Sequence, residues 1–483
     1  MVYHRAVRER IGKFPYACLA EPTAIPVVLL PETHAMMGAA LSRWTMAYFA
    51  AALAFLIAAQ AMMVAGFGFP AVPVEAPETL LLVHVVTIGW LSLLMCGALF
   101  QFVPVLVARP LVGARLVLPA LLCLLGGLAC LLCGFLQLAG AVETTFPLLG
   151  LAAVLLPAGF AIVVGVLGCT LWAGRPLPLP ARFVALGLAS LVATATLGAL
   201  FSQALSGSEL MAVDWRTTGL PTHVSAGFGG WLTLTAIGVS YRLLPMFMLA
   251  PDHARLSGHA ALSCGAAALV LMIVVAPLET AFGGPGVAMP LAGLAVLAGV
   301  GLYGVDLVFF YRNRKRRKIE LNSYSALGAL GGLFGSVLLI AALTATGTLA
   351  EHVSATVYLV AFGWLTGLGL SQLYKIVPFL TWLECYGPVM GKKPTPRVQD
   401  LVIERRDRIW FVLYFAGVLA ATAALLAGRP DLFRLASLAT LAATLALVVE
   451  LVLARRLFNV EDRLRLPEGV RPPRLFLPSP RLH

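Results

Sequence analysis

The chain has 483 residues, 60% of them hydrophobic and 12% charged, with 34 Lys and Arg against 22 Asp and Glu; its mean hydropathy is +0.92. Soluble globular chains are about 45–50% apolar and about 25% charged, so a soluble enzyme, a disordered chain and a disulfide-stapled secreted domain are excluded, and a polytopic membrane protein remains. The net charge of +12 reflects cytoplasmic loops, which collect Lys and Arg, and predicts no nucleic-acid partner.

Apolar runs broken by Gly, Pro and charge predict an all-α protein with twelve spans in a transmembrane domain at 44–455. The first 43 residues read as a cytoplasmic arm; MVYHRAVRERIGKF is charged with no apolar core directly after it, which predicts no cleaved signal peptide. Spans follow near 44–67, 79–107, 116–139 and 147–172, then 182–204, 221–249, 257–278 and 287–311, then 324–347, 352–382, 408–427 and 433–454, before a cytoplasmic tail at 456–483. With both termini inside, 31 Lys and Arg fall on the cytoplasmic side and only Arg216, Arg429 and Arg434 outside, among eight acidic residues. Losing or adding one helix near the middle would destroy that split. The basic run Arg312 to Lys318 reads as anchoring at the inner surface. Eight scattered Cys, including Cys130 and Cys133 of a CxxC inside a span, read as small buried residues.

Spans 2, 6 and 10 share a motif. GWLSLLMCGALFQFVP (Gly89 to Pro104), GWLTLTAIGVSYRLLP (Gly230 to Pro245) and GWLTGLGLSQLYKIVP (Gly363 to Pro378) align without a gap, with 14 residues from Trp to Pro each time. The glycines are 141 and 133 residues apart, and four spans fill each interval. The repeats at about 44–172, 182–311 and 324–454 therefore predict three four-helix units around a pseudo-threefold axis. Within the motif the residues read mainly as packing: Gly for close helix contact, Trp near polar regions, Pro as the helix end.

Three of the eight His stand ahead of these motifs. His84, His223 and His352 precede their Trp by 6, 8 and 12 residues, roughly 30, 33 and 39 Å from the Pro end at 1.5 Å per residue. One intramembrane His is usually a satisfied polar residue; three on equivalent helices at similar depth point to metal or haem ligation. His4, His34 and His483 lie in the arm and tail, and His253 and His259 at the turn between spans 6 and 7. Counted at 100° per residue from the Trp, His223 and His352 point about 40° apart, and His84 points 120–160° from both.

Twelve helices in three arcs, with His on helices 2, 6 and 10 near the outer face, resemble subunit I of the haem-copper oxidases and nitric oxide reductases. The G-[WF]-x13-P spacing is also similar to the NnrS-type haem and copper membrane proteins linked to nitric oxide. The resemblance covers residues 44–455 in architecture, and in motif only the three repeated helices. It implies a haem b with His84 and His352 as the axial pair, His223 at a copper-ligand position, a redox or nitric-oxide-related role, an electron donor or partner subunit, and a bacterial inner membrane. The departures bear on the copper site. Helix 10 reads EHVSATVY instead of a His-x-His pair, so Thr356 and Tyr358 occupy the usual ligand depth, and span 7 has no His except His259, at the cytoplasmic end. A complete oxygen-reducing copper centre is therefore not expected, and copper would be limited to a partial site. A pairing of His223 with His352, or ligation by His84 alone, stays open on the helical angles. So do a transporter and an assembly partner that keeps the fold without haem. Gln101, Arg242, Lys375, Asp306 and Glu450 near the inner ends of the spans read as snorkelling side chains, with Asp306 paired to one of them.

Overall fold

The computed structural model describes residues 43–207, 213–252, 255–466 and 472–476. The expected arm, apart from Arg43, part of the tail, and His4, His34, His253 and His483 lie outside the described residues. Everything below concerns the unit formed by Ala40–His483.

The described chain is helical, without strands. Eleven helices are long and apolar enough to cross a membrane: α1 (Thr45–Ala65), α2 (Pro77–Val107), α3 (Ala114–Leu138), α4 (Leu148–Ala173), α5 (Leu179–Leu205), α7 (Leu256–Phe282), α8 (Ala288–Arg312), α9 (Leu321–Ala345), α10 (Val353–Val389), α11 (Glu404–Leu426) and α12 (Pro430–Arg455). Between α5 and α7 a continuous helical run, α6, covers 213–248. It is more polar than the rest, since His223, Ser225, Thr233, Thr235, Ser240 and Arg242 dilute its apolar residues. It packs along α5.

The pairing inside each predicted repeat is the same. The first helix packs on the second (α1 on α2, α5 on α6, α9 on α10), and the third and fourth form a hairpin (α3–α4, α7–α8, α11–α12). The last helix, α12, packs back against α1. Small residues allow the close approaches. A Cβ at Gly332 on α9 would collide with the facing α10, 2.5 Å from the Gly363 carbonyl carbon.

Each repeated helix changes pitch at its motif. α2 is π-helical over Val85–Ser92, α6 over Ser225–Leu234 and α10 over Leu359–Thr366, and each stretch contains G-W-L-[ST]. A π-turn bonds i to i+5, so each residue turns the chain by less than the 100° of an α-helix. The side-chain directions counted from an unbroken α-helix therefore do not hold between His and Trp. Wider turns also free backbone groups, which need partners in an apolar interior. The Phe362 carbonyl accepts from Tyr414 on α11 at 2.8 Å. The prolines do not end these helices: three residues follow Pro104 and Pro245, and eight follow Pro378, the last being Tyr386. Neighbouring helices make an interior Pro tolerable in a membrane bundle.

The motif tryptophans are buried at the centre, where the indole N–H needs an acceptor. Trp90 donates to the Thr366 hydroxyl at 2.8 Å, and Trp231 donates to the Ser92 hydroxyl at 3.0 Å. Each acceptor is the [ST] of another copy of the motif, two residues after its own Trp. Thr366 passes its proton to the Ala361 carbonyl, five residues back, at 2.7 Å. Trp364 Nε1 has no partner among the described residues. Thr366→Val and Ser92→Ala each strand a buried indole N–H, so each should cost about 1–3 kcal/mol. Thr233→Val, at the third motif hydroxyl, should cost less than either. Unfolding equilibria of the purified protein in detergent check the order.

Candidate functional site

His84 ends the first α-helical part of α2, immediately before the π-segment. Its Nδ1 lies 2.7 Å from the Leu80 carbonyl. A carbonyl can only accept, so Nδ1 carries the proton and Nε2 keeps its lone pair. Phe135 on α3 packs against the ring with centroids 5.3 Å apart. His223 stands two residues before the π-segment of α6 and leans on α5. Phe201 meets it edge-on at 5.7 Å, and its ring also interacts with the Thr194 backbone. Gly198 makes room for it; a Cβ there would lie 3.2 Å from His223 Cε1. His223 Nδ1 is buried with no hydrogen-bond partner.

Both rings are half-buried. α2 and α6 thus each carry a His with a ring nitrogen free just ahead of the π-segment. Each free nitrogen can ligate a metal or accept a hydrogen bond. His352 sits elsewhere in its helix, as the residue before the first turn of α10, where its carbonyl caps Ala355 at 3.1 Å and Thr356 at 3.3 Å. Thr356, at the depth where a ligand was looked for, bonds its own helix at the Val353 carbonyl, 2.7 Å away. His259 lies on the first turn of α7. Among the described residues no three His, Cys, Asp or Glu side chains form a metal-ligating group, and seven cysteines, Cys130 and Cys133 included, are free.

No family model matches the chain, and no match was found among curated proteins. The site's own geometry carries the reading.

At the opposite, proline-bearing ends of the repeated helices the polar side chains are paired. Gln101 donates to Thr45 at 2.7 Å, Arg242 pairs with Asp252, and Lys375 pairs with Glu320 at 2.6 Å. Asp306 is fully buried and takes Arg255 at 2.7 Å, Tyr241 at 2.8 Å and Ser257 at 2.5 Å. Its cation is therefore Arg255, outside the motif, rather than Arg242 or Lys375. Asp407, equally buried, accepts from Tyr374 at 2.5 Å and Arg406 at 3.1 Å, and Arg406 also reaches Glu450. Two motif tyrosines at one register, Tyr241 and Tyr374, thus each hold a buried carboxylate. The sequence reading missed Asp407, Arg255 and Glu320. The shared aromatic position was the available signal, since a buried Tyr hydroxyl seeks an acceptor.

Glu320, just ahead of α9, offers a pH test. Burial pushes its carboxyl up, but hydrogen bonds from Lys375 and Gln399 and the charges of Lys375 and Arg316 outweigh burial and hold it below its ordinary 4.5. A carboxyl depressed in the folded state stabilises at pH above its unfolded value, and that contribution is lost as pH falls through the folded value. Thermal stability should therefore drop on acidification below about pH 4.5, and Glu320→Gln should flatten that limb while lowering stability at neutral pH.

Proposed function

We propose that the chain is an integral membrane haem-binding protein with a redox or nitric-oxide-related role. In this reading it is built like subunit I of the haem-copper oxidases, without a complete oxygen-reducing copper centre. The observation that carries the reading is a histidine with a free ring nitrogen just ahead of the π-segment on each of two helices that bear the same motif, His84 and His223. An iron porphyrin supplies four equatorial nitrogens and needs one or two axial donors from protein. A protein copper site draws three or four donors from side chains. Two imidazoles suit the first better. The geometry supports His223 as the partner of His84 in place of His352. Haem b, when bound, would supply one-electron chemistry and an affinity for small diatomic ligands. The protein's part is to fix the rings: the Leu80 carbonyl sets the His84 tautomer, Gly198 and Phe201 shape the His223 pocket, and Phe135 shields His84 from water.

Purified wild-type protein should show a low-spin Soret band. His84→Ala and His223→Ala should each abolish it, and His352→Ala should leave it. Loss with His352→Ala and retention with His223→Ala would return the pairing to helices 2 and 10. A wild-type protein without haem overturns the reading.

The same proposal makes α6 the twelfth crossing. The four-helix units then surround a pseudo-threefold axis, both termini lie in the cytoplasm, the His pair faces the outer side, and the protein resides in a bacterial inner membrane. The uneven split of Lys and Arg supports it. Reporter fusions after residue 141 should read outside and after residue 315 inside; a reversed reading at either point defeats the map.

A further inference from the structure

α10 runs further than its two counterparts. α2 and α6 stop three residues after their Pro, but α10 continues past Pro378 to Tyr386. It has 37 residues, roughly 55 Å of helix against about 40–45 Å for a bilayer with its headgroups. The extra turns carry two aromatic side chains with polar tips, Trp382 and Tyr386, one turn apart with ring centroids separated by 6.4 Å. Trp382 Nε1 donates to the Pro396 carbonyl at 2.6 Å, and the Tyr386 hydroxyl donates to the Arg465 carbonyl at 2.5 Å. Each tip therefore anchors a different stretch of chain: the segment that follows α10, and the short helix α13 (Asp462–Arg465) that follows α12. A small core of Tyr386, Leu401, Ala454, Leu457 and Val460, with Leu464 packed on it, joins them.

An open cleft of ≈ 560 Å³ is lined by Lys393, Pro394 and Thr395 from the first stretch and by Arg463 and Leu464 from the second. Both walls are braced. The backbone N–H groups of Lys392 and Lys393 bond the Val389 carbonyl at 3.0 and 3.2 Å, and Arg465 Nη2 reaches the Phe458 and Val460 carbonyls at 3.2 Å each. The cleft is thus held by α10 rather than left to surface loops.

The lining chemistry selects the occupant. Each wall offers a cation, and among the described residues no carboxylate lines the cleft. Arg463 gives its Nε to Glu461 at 2.6 Å, between two exposed side chains. Such a pair is weak, and the two Nη groups remain for an oxyanion, which a guanidinium binds as a fork. Lys393 brings a point charge from the facing wall, and Thr395 a hydroxyl that can donate or accept. Pro394 and Leu464 add apolar surface. Small-molecule sites span about 300–1,000 Å³, so a cleft of this size suits an anion that carries an organic body. We propose that the cleft binds a phosphate ester, with its phosphate between Arg463 and Lys393 and its organic part against Pro394 and Leu464. Two sources present that chemistry at a membrane surface: a soluble nucleotide and the headgroup of an anionic phospholipid.

The full chain in phosphatidylcholine nanodiscs, titrated by calorimetry with AMP and with glycerol 1-phosphate, tests the cleft without reference to haem. At least one ester should bind saturably and more weakly as salt rises, while adenosine and glycerol, which lack the phosphate, should not bind. Lys393→Gln with Arg463→Gln should weaken binding at least about tenfold, the loss of one or more charge-assisted bonds. Both side chains are exposed, so the fold tolerates the change. Tyr386→Phe removes no charge but releases one wall, and should weaken binding as well. Nanodiscs containing phosphatidylglycerol distinguish the sources: loss of the binding heat in them assigns the cleft to a lipid headgroup, and unchanged heat assigns it to a soluble ester. Absence of saturable binding by either ester overturns the proposal, as does equal binding of adenosine or an undiminished affinity in the double variant. A protein that binds an ester and holds no haem keeps this inference and loses the haem reading.

Discussion

An indole N–H buried in an apolar interior must find an acceptor, and this bundle answers with the hydroxyl of a neighbouring copy of the same motif. Leaving such a donor unpaired costs about 1–3 kcal/mol, and a satisfied bond gains about 1 kcal/mol. The penalty therefore fixes geometry more than the gain fixes stability. Trp90 to Thr366 ties α2 to α10, and Trp231 to Ser92 ties α6 to α2. Both bonds run between residues far apart in sequence, so they hold repeat against repeat rather than helix against its own neighbour. Between helices in lipid there is little hydrophobic driving force, which leaves such bonds to set how the units meet, while the close approach of Gly332 to Gly363 joins α9 to α10 within the third unit.

That central tie divides each motif helix into two functional ends. Toward the start of α2 and α6, each helix carries an imidazole with a nitrogen unspent. Toward the prolines, cations and carboxylates are matched almost one to one, with Tyr241 and Tyr374 each holding a carboxylate inside the bundle. A buried pair is expensive to break because the survivor is left as an uncompensated charge. The paired end is therefore the rigid one. Unspent donor capacity at the histidine end is what separates a candidate site from a satisfied structural network, and burial alone does not distinguish them.

Much of this was legible in the sequence. Span positions follow from apolar runs, and the helices Thr45–Ala65 and Pro430–Arg455 lie within a few residues of the stretches read from hydropathy. The exception is 213–248, helical but too polar to stand with the eleven. The motif was plain from its gap-free register, and its Gly allow close packing as expected, whereas its Trp, expected near polar regions, are buried inside the bundle. Its [ST] suggested no role, because nothing along one helix shows that a hydroxyl serves a Trp on another. The π-segments were invisible for a related reason: hydropathy reports which residues are apolar and carries little information on whether a turn holds 3.6 residues or more. With a uniform 100° per residue, His84 points away from His223, yet α2 and α6 widen right after those residues, so that count does not hold across the motif. The partners of Asp306 and Asp407 depend on which loop folds over which helix end, which no spacing encodes.

The third copy of the motif departs from the other two in both respects that matter. Trp364 is as buried as Trp90, yet its N–H has no partner among the described residues. His352 stands before the first turn of α10, while His84 and His223 lie inside their helices next to the π-turn. A single histidine displaced outward could be drift in a loop. A displaced histidine and an open tie on the same helix form a pattern, since the tie sets the height and rotation at which a helix presents its imidazole. In α2 and α6 the tied Trp and the ring nitrogen follow from one another through a short π-segment. In α10 twelve residues separate His352 from Trp364, and, although Thr366 accepts from Trp90, the Trp364 N–H makes no tie of its own among the described residues. The third repeat accordingly departs from the first two at both its histidine and its indole.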